Sequence, residues 1–194
     1  MKTKITILAV CFFISATLNA QIFEWAKPFG GTSTDEAYST AVDGSGNVYT
    51  TGRFEGTVDF DPGVGTTELT SNGGRDIFVQ KMDADGNFVW AKSFGGIGVD
   101  SGNSLAIDGS GNVYTTGYFQ GSVDFDPNAG TSTLSSSGSY DIFVQKMDAA
   151  GNFVWAKSFG GGGAEGGYSI SLDGSGNVYT TGYFQGSSDF DPNA

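Results

Sequence analysis

Residues 141–159 read DIFVQKMDAAGNFVWAKSF, and the fold turns on how this stretch is read. From Asp141 to Asp148, Ile142 and Val144 point to one side of an extended chain, and Phe143 and Met147 to the other. The tight segment Ala149 to Asn152 then hands over to a second run, Phe153 to Phe159. Alternation places Phe153, Trp155 and Phe159 on one face of that run, with Val154 and Ala156 opposite. A strand pair that is apolar on both faces needs cover on both faces.

The cover is not helical. Gly makes up 32 of 194 residues, about 16% and more than twice the ordinary share of roughly 7%, and each interior Gly costs a helix about 1 kcal/mol. Aromatics at 14% exclude disorder, which lacks large apolar side chains. The cover comes instead from repetition, because WAK(P/S)FGG recurs at Trp25, Trp90 and Trp155, and DGSGNVYTTG at Asp43, Asp108 and Asp173. Both recur every 65 residues. Residues 25–89 and 90–154 agree at 44 of 65 positions without a gap, and the incomplete third unit, 155–194, agrees with the second at 31 of 40.

Each unit divides into four strands. In the second unit these are Ser104 to Asp108, Asn112 to Phe119, Asp141 to Asp148 and Phe153 to Phe159, with further short strands open in the 120–138 connection. Gly, Asn and Asp at the turns supply the positive φ angles that tight hairpins require. Four-stranded sheets stacked on neighbouring copies are the blades of a β-propeller. The expected fold is therefore all-β, a partial β-propeller of four-stranded antiparallel blades, with an open β-solenoid as the alternative.

WAKSFGG, DGSGNVYTTGYF and DIFVQKMDADGNFVWAK resemble the SBBP-type bacterial β-propeller repeat. That repeat is common in exported proteins of Bacteroidetes-like bacteria, often ahead of a type IX secretion sorting domain. The resemblance covers nearly all of residues 21–194 and implies a propeller fold and an exported location. It brings no catalytic residues. The DGNFVW pattern is also similar to the tryptophan-docking repeats of quinoprotein dehydrogenases, which implies that Trp90 and Trp155 lock neighbouring blades. Because about 2.7 units cannot close a ring of four to eight blades, the chain reads as an N-terminal fragment. Ile22 to Phe29 matches a fourth strand with no earlier strands before it, as a closing strand of the last blade would.

Residues 1–20 read as a signal peptide: Lys2 and Lys4, an apolar run from Ile5 to Ile14, and a small-residue cleavage region ending at Ala20. LAVC at Cys11 loosely resembles a lipobox, but apolar residues continue past the Cys. Removal leaves 174 residues without Cys, with seven basic against 21 acidic side chains. Such a chain repels phosphate backbones and anionic lipids, so neither nucleic acid nor membrane insertion after signal removal is expected. With no His in the sequence, a Ser-His-Asp triad, a His-ligated zinc and a His base are excluded within it.

Three acidic motifs remain. DGSGN at Asp43, Asp108 and Asp173 places oxygen side chains at alternate positions as a calcium loop does, but no closing Glu follows, and a hairpin turn accounts for it. DADGN at Asp83 becomes DAAGN at Asp148, keeping the turn and losing an acid. DFDP at Asp59 and Asp61, Asp124 and Asp126, and Asp189 and Asp191 puts two carboxylates on one side of an extended segment. These six are the calcium candidates, the alternative being solvated loop acids. Tyr114, Tyr118, Tyr179 and Tyr183 are candidates for a carbohydrate surface, or for blade packing. The expected function is a non-catalytic interaction scaffold, secreted or at the cell surface, with an extracellular protein or glycan as partner. Its alternatives are a calcium-stabilised adhesin or glycan-binding module, and an enzyme whose site lies in further blades.

Overall fold

The computed structural model describes residues 24–191, and the expected signal peptide, residues 1–20, lies outside them. The strands are β1 (Glu36–Val42), β2 (Val48–Asp59), β3 (Glu68–Met82), β4 (Phe88–Phe94), β5 (Ser101–Ile107), β6 (Val113–Phe119), β7 (Ser122–Asp124), β8 (Thr133–Ser135), β9 (Asp141–Met147), β10 (Phe153–Gly161), β11 (Gly166–Leu172), β12 (Val178–Tyr183) and β13 (Ser188–Asp189). Strands β1-β2-β3-β4 form the first antiparallel sheet, β5-β6-β9-β10 the second, with the short β13 added at the edge of β10, and β11-β12 the start of a third. All three strand-1 elements, β1, β5 and β11, lie against one another in succession. They are the inner strands of stacked blades, and the partial propeller follows.

The 120–138 connection does hold further short strands. β7 and β8 pair from Ser122↔Ser135 to Asp124↔Thr133. In the first blade the same path is continuous, with β2 and β3 paired out to Asp59↔Glu68.

Face-to-face stacking buries both sides of the sheets as the alternation requires. One cluster joins Tyr49, Ile77, Val79 and Phe94 of the first blade to Leu105, Val113, Phe119, Phe125, Phe143 and Met147 of the second. Across the second blade, Tyr114 and Val144 meet Ile170 of the third. One detail of the alternation differs. Phe153 packs into the first cluster, whereas Trp155 and Phe159 pack with the other. A β-bulge between Phe153 and Trp155 inserts one residue against β9 and reverses the facing.

Aromatic rings knit each junction in the same way. Phe94 from the outer strand of the first blade meets Phe125 at 5.5 Å and Phe143 at 6.0 Å, and Phe119 meets Phe125 at 5.2 Å. One repeat earlier, Phe29 meets Phe60 at 5.3 Å and Phe78 at 5.5 Å. Trp90 donates its Nε1–H to Ala149 O at 3.3 Å, docking on the β9–β10 turn of the next blade, and Trp25 donates to Ala84 O at 3.1 Å. Gly at the turn makes room: a Cβ on Gly86 would lie 2.8 Å from the Trp25 ring, and one on Gly151 3.3 Å from that of Trp90. Residues 24–29 form no strand of their own, yet they lie on the first blade as β4 lies on the second, through Trp25, Phe29 and the bridge Gly30↔Asp59.

Candidate functional site

The blades have two ends. At one end lie the β1–β2, β3–β4 and equivalent turns; at the other lie the inner-strand starts, the DFDP loops and the FGG segments. The turn end is a row of identical hydrogen-bonded hubs. Asp108 Oδ1 accepts from Ser110 N and Asn112 N at 2.9 and 3.0 Å, and Oδ2 accepts from Asn112 Nδ2 at 2.7 Å and Tyr114 OH at 3.2 Å. Asp43 and Asp173 repeat the arrangement with Tyr49 and Tyr179. Burial opposes ionisation of Asp108, but the bonds from Asn112, Ser110 and Tyr114 outweigh it and hold the carboxyl below its usual range. Asp83 and Asp148 do the same work in the other hairpin without a tyrosine. DGSGN and DADGN are turns.

In the DFDP loops Phe60 and Phe125 point inward and are fully buried, while their flanking acids stay half-exposed. Asp59 Oδ1 accepts from Asp61 N and Thr67 N, and Asp124 Oδ1 from Asp126 N and Ser132 N. Asp61 and Asp126 in turn accept from Gly63 N and Asn128 N. Asp189 accepts from Asp191 N, and both line a small polar recess of about 190 Å³ with Asp141, Ser135, Ser137 and Ser158. Among the described residues no group of three or more His, Cys, Asp or Glu is arranged to hold a metal ion.

Another set of acids lies outside the three acidic motifs. Asp100 Oδ2 accepts from Gly96 N at 2.8 Å and Oδ1 from Gln120 N at 2.9 Å, tying the FGG segment to the second blade. Its counterpart Glu165 accepts from Gly161 N and Ser188 OH. Asp76, at the start of the packed half of β3, accepts from Asn72 N and Nδ2 through Oδ2, while its buried Oδ1 has no partner. Burial pushes both Asp76 and Asp100 up to about 6, and the Asp100 charge adds to the shift at Asp76.

The remaining tyrosines gather at the mouth of the inner strands. Of eight in the chain, Tyr49, Tyr114 and Tyr179 are spent on turn aspartates. Tyr38, Tyr118 and Tyr168 line an open cleft of about 350 Å³ with Arg53, Ser101 and Asn103, drawn from three successive blades. Tyr140 abuts Tyr118 at 5.1 Å and Tyr183 abuts Tyr168 at 5.4 Å. Arg53 spans the cleft floor: its Nε donates to Glu36 at 2.6 Å, its Nη1 donates to Tyr118 OH at 3.0 Å, and its guanidinium lies 5.5 Å from the Tyr38 ring centroid. Asn103 donates to Gly167 O and accepts from Ser101 OH. Burial raises the Tyr38 phenol, and the bond to Glu36 raises it further.

The four tyrosines singled out in the sequence are thus split. Tyr118 and Tyr183 belong to the mouth, Tyr114 and Tyr179 to the turns. The signal that finds the mouth is divergence in polar and aromatic character between copies: the DGSGN turns repeat and packed positions such as Ile107 and Leu172 exchange one aliphatic side chain for another, but the mouth reads Glu36, Ser101, Gly166; Tyr38, Asn103, Tyr168; and Arg53, Tyr118, Tyr183.

Residues 89–118 match the family model of the SBBP beta-propeller repeat. The chain is also 26% identical over 188 residues to an uncharacterized WD repeat-containing protein, L264, of Acanthamoeba polyphaga mimivirus. That match covers 84% of this chain and 13% of the relative, so the chain spans a small part of that protein's length. WD repeats build propeller blades of four strands each, as the stacked sheets of this chain do. The chain thus folds as a partial β-propeller, and its residues 89–118 match the SBBP repeat.

Proposed function

We propose that this chain is an exported, non-catalytic repeat scaffold, secreted or held at the cell surface, which recognises an extracellular partner through the tyrosine cleft. One observation carries the reading. Within units that otherwise repeat closely, side chains diverge where three blades converge, and they diverge among aromatic, charged and amide groups suited to recognition. The turn hubs keep the same residue in every copy because each copy makes the same contacts there, whereas a composite site draws on different ones. Export rests on the basic, apolar and small-residue pattern of residues 1–20. Among the described residues no helix is long and apolar enough to cross a membrane.

The test has two arms. Mass spectrometry of the extracytoplasmic fraction is expected to find a chain beginning at Gln21; a cytosolic chain retaining Met1 overturns export. Wild-type chain and the Tyr38→Ala/Tyr168→Ala variant are then compared on arrays of purified extracellular proteins and oligosaccharides. Recognition through the cleft predicts a ligand that is lost with the two rings while the melting temperature holds. Ligands indifferent to the rings, or none at all, overturn it.

A further inference from the structure

We propose that the cleft binds an uncharged pyranose unit of a glycan, its C–H face laid on a tyrosine ring and its hydroxyls met by Arg53, Asn103 and Ser101; this rests on the recognition role just assigned to the cleft. Tyrosine offers a flat apolar body with a polar tip, and Tyr38 and Tyr168 keep 44% and 61% of their surface open. Apolar C–H groups on one face of a sugar ring, with hydroxyls around its rim, match such a floor with polar groups at its edge.

The polar edge has capacity to spare for hydroxyls. Arg53 carries five N–H donors, one directed to Glu36 and one to Tyr118. The Asn103 amide has two N–H groups and two lone pairs, of which Gly167 O takes one donor and Ser101 one lone pair. Both side chains are held in place by those contacts, so little ordering cost falls on binding.

Charge selects against acidic sugars. The Arg53 guanidinium is neutralised by Glu36 at 2.6 Å, and Arg75 sits 3.7 Å from the same carboxylate and from Glu55. No net positive charge is left to attract a carboxylate or sulfate, and the chain as a whole carries −12. Size selects against peptides. At about 350 Å³ the cleft lies at the lower end of ligand pockets, whereas proline-rich peptides need an extended aromatic groove.

Titration calorimetry on the full chain with maltotriose, cellotriose, mannotriose, trigalacturonate and a proline decapeptide separates the outcomes. At least one neutral trisaccharide is expected to bind, with affinity falling about tenfold or more in Tyr38→Ala or Tyr168→Ala. Tyr168→Phe keeps the ring and is expected to bind within about threefold of wild type, and Tyr49→Phe, at the turn end, to bind unchanged. Neutral saccharides that fail to bind, or that bind the alanine variants equally well, overturn the inference. Ring-dependent binding of only trigalacturonate or the peptide overturns the sugar assignment and leaves recognition by the cleft standing; no ring-dependent ligand of any class on the arrays removes both.

Discussion

The turn end and the mouth end of the blades are built from the same repeat and follow opposite rules. At the turn end, Asp43, Asp108 and Asp173 make the same four hydrogen bonds in three copies. At the mouth, none of the three matching positions keeps one residue in all copies, and side chains from three blades share one cleft. Carboxylates divide by burial: Glu36 at the mouth is held below its usual range by the bonds from Arg53 and Tyr38. Turn aspartates are surrounded by donors and pulled below their usual range, whereas Asp76 and Asp100 near the mouth are buried and pushed up to about 6. Repetition marks the turn hubs that each copy builds alike, and the proposed recognition falls where the copies diverge.

The strongest way to break this comparison is to remove a hub. Asp108→Ala deletes an acceptor for two backbone N–H groups, the Asn112 amide and the Tyr114 phenol, along with a 3.9 Å ion pair to Lys146. Hydrogen bonds to a charged group are worth more than neutral ones, so a loss of about 2–3 kcal/mol in denaturant unfolding is expected at pH 7. The folded Asp108 carboxyl lies below its unfolded value, so its stabilisation is present above about pH 3.9 and fades as pH falls through the folded pKa. The gap between variant and wild type should therefore shrink in acid. An equal deficit at pH 7 and pH 3 would show that the hub works by packing and not by charge.

The buried acids Asp76 and Asp100 predict the reverse slope. Asp76 and Asp100 hold their protons in the folded state up to about pH 6, but in the unfolded chain only to about 3.9. Between those limits the native state binds more protons, so stability falls as pH rises from about 4 to 6 and levels off above. Asp76→Asn keeps an oxygen for Asn72 and places the amide where Oδ1 now has no partner. It is expected to stabilise the fold at pH 7 by roughly 1–2 kcal/mol and to flatten the slope. A variant that is less stable at pH 7, with the slope intact, would mean that the slope does not originate in the buried Asp76 carboxyl.

What is legible in the sequence follows from which forces act locally. The 65-residue period, the four strands of Ser104 to Phe159 and the turn role of DGSGN are written in alternation and in turn chemistry, which depend on neighbours in sequence. Trp90 docking on Ala149 is implied by resemblance and has its physical basis in Gly151, which leaves room for the ring. The facing of Phe153 escapes simple alternation because a bulge depends on the register of the partner strand. The acids Asp76 and Asp100 recur with the repeat, but their burial is not written in it: Asp76 is covered only when the outer-strand Gly95 lies over it, and Asp100 only when the FGG segment and β6 close around it. The mouth gathers Tyr38, Asn103 and Tyr168, each 65 residues apart, so no window of sequence contains it. The DFDP motif draws the eye to its charge, yet it is Phe60 and Phe125 between the acids that hold the junctions.

The finest comparison uses one substitution at both ends. Tyr49→Phe removes a hydroxyl that donates to Asp43 at 3.2 Å from a fully buried ring. Asp43 keeps the Ser45 and Asn47 donors, so no acceptor is stranded, and a loss of about 1 kcal/mol is expected. Tyr118→Phe removes the acceptor for Arg53 Nη1 at 3.0 Å in a half-exposed cleft where water can take its place. Its cost to unfolding should stay within about 0.5 kcal/mol, while the neutral-saccharide affinity measured by calorimetry drops, because Arg53 loses one of the contacts that fix its direction. If the two ends do differ in purpose, the same lost oxygen atom will appear as stability at Tyr49 and as binding at Tyr118. Equal stability losses at both positions, with binding untouched, would make the mouth one more structural repeat.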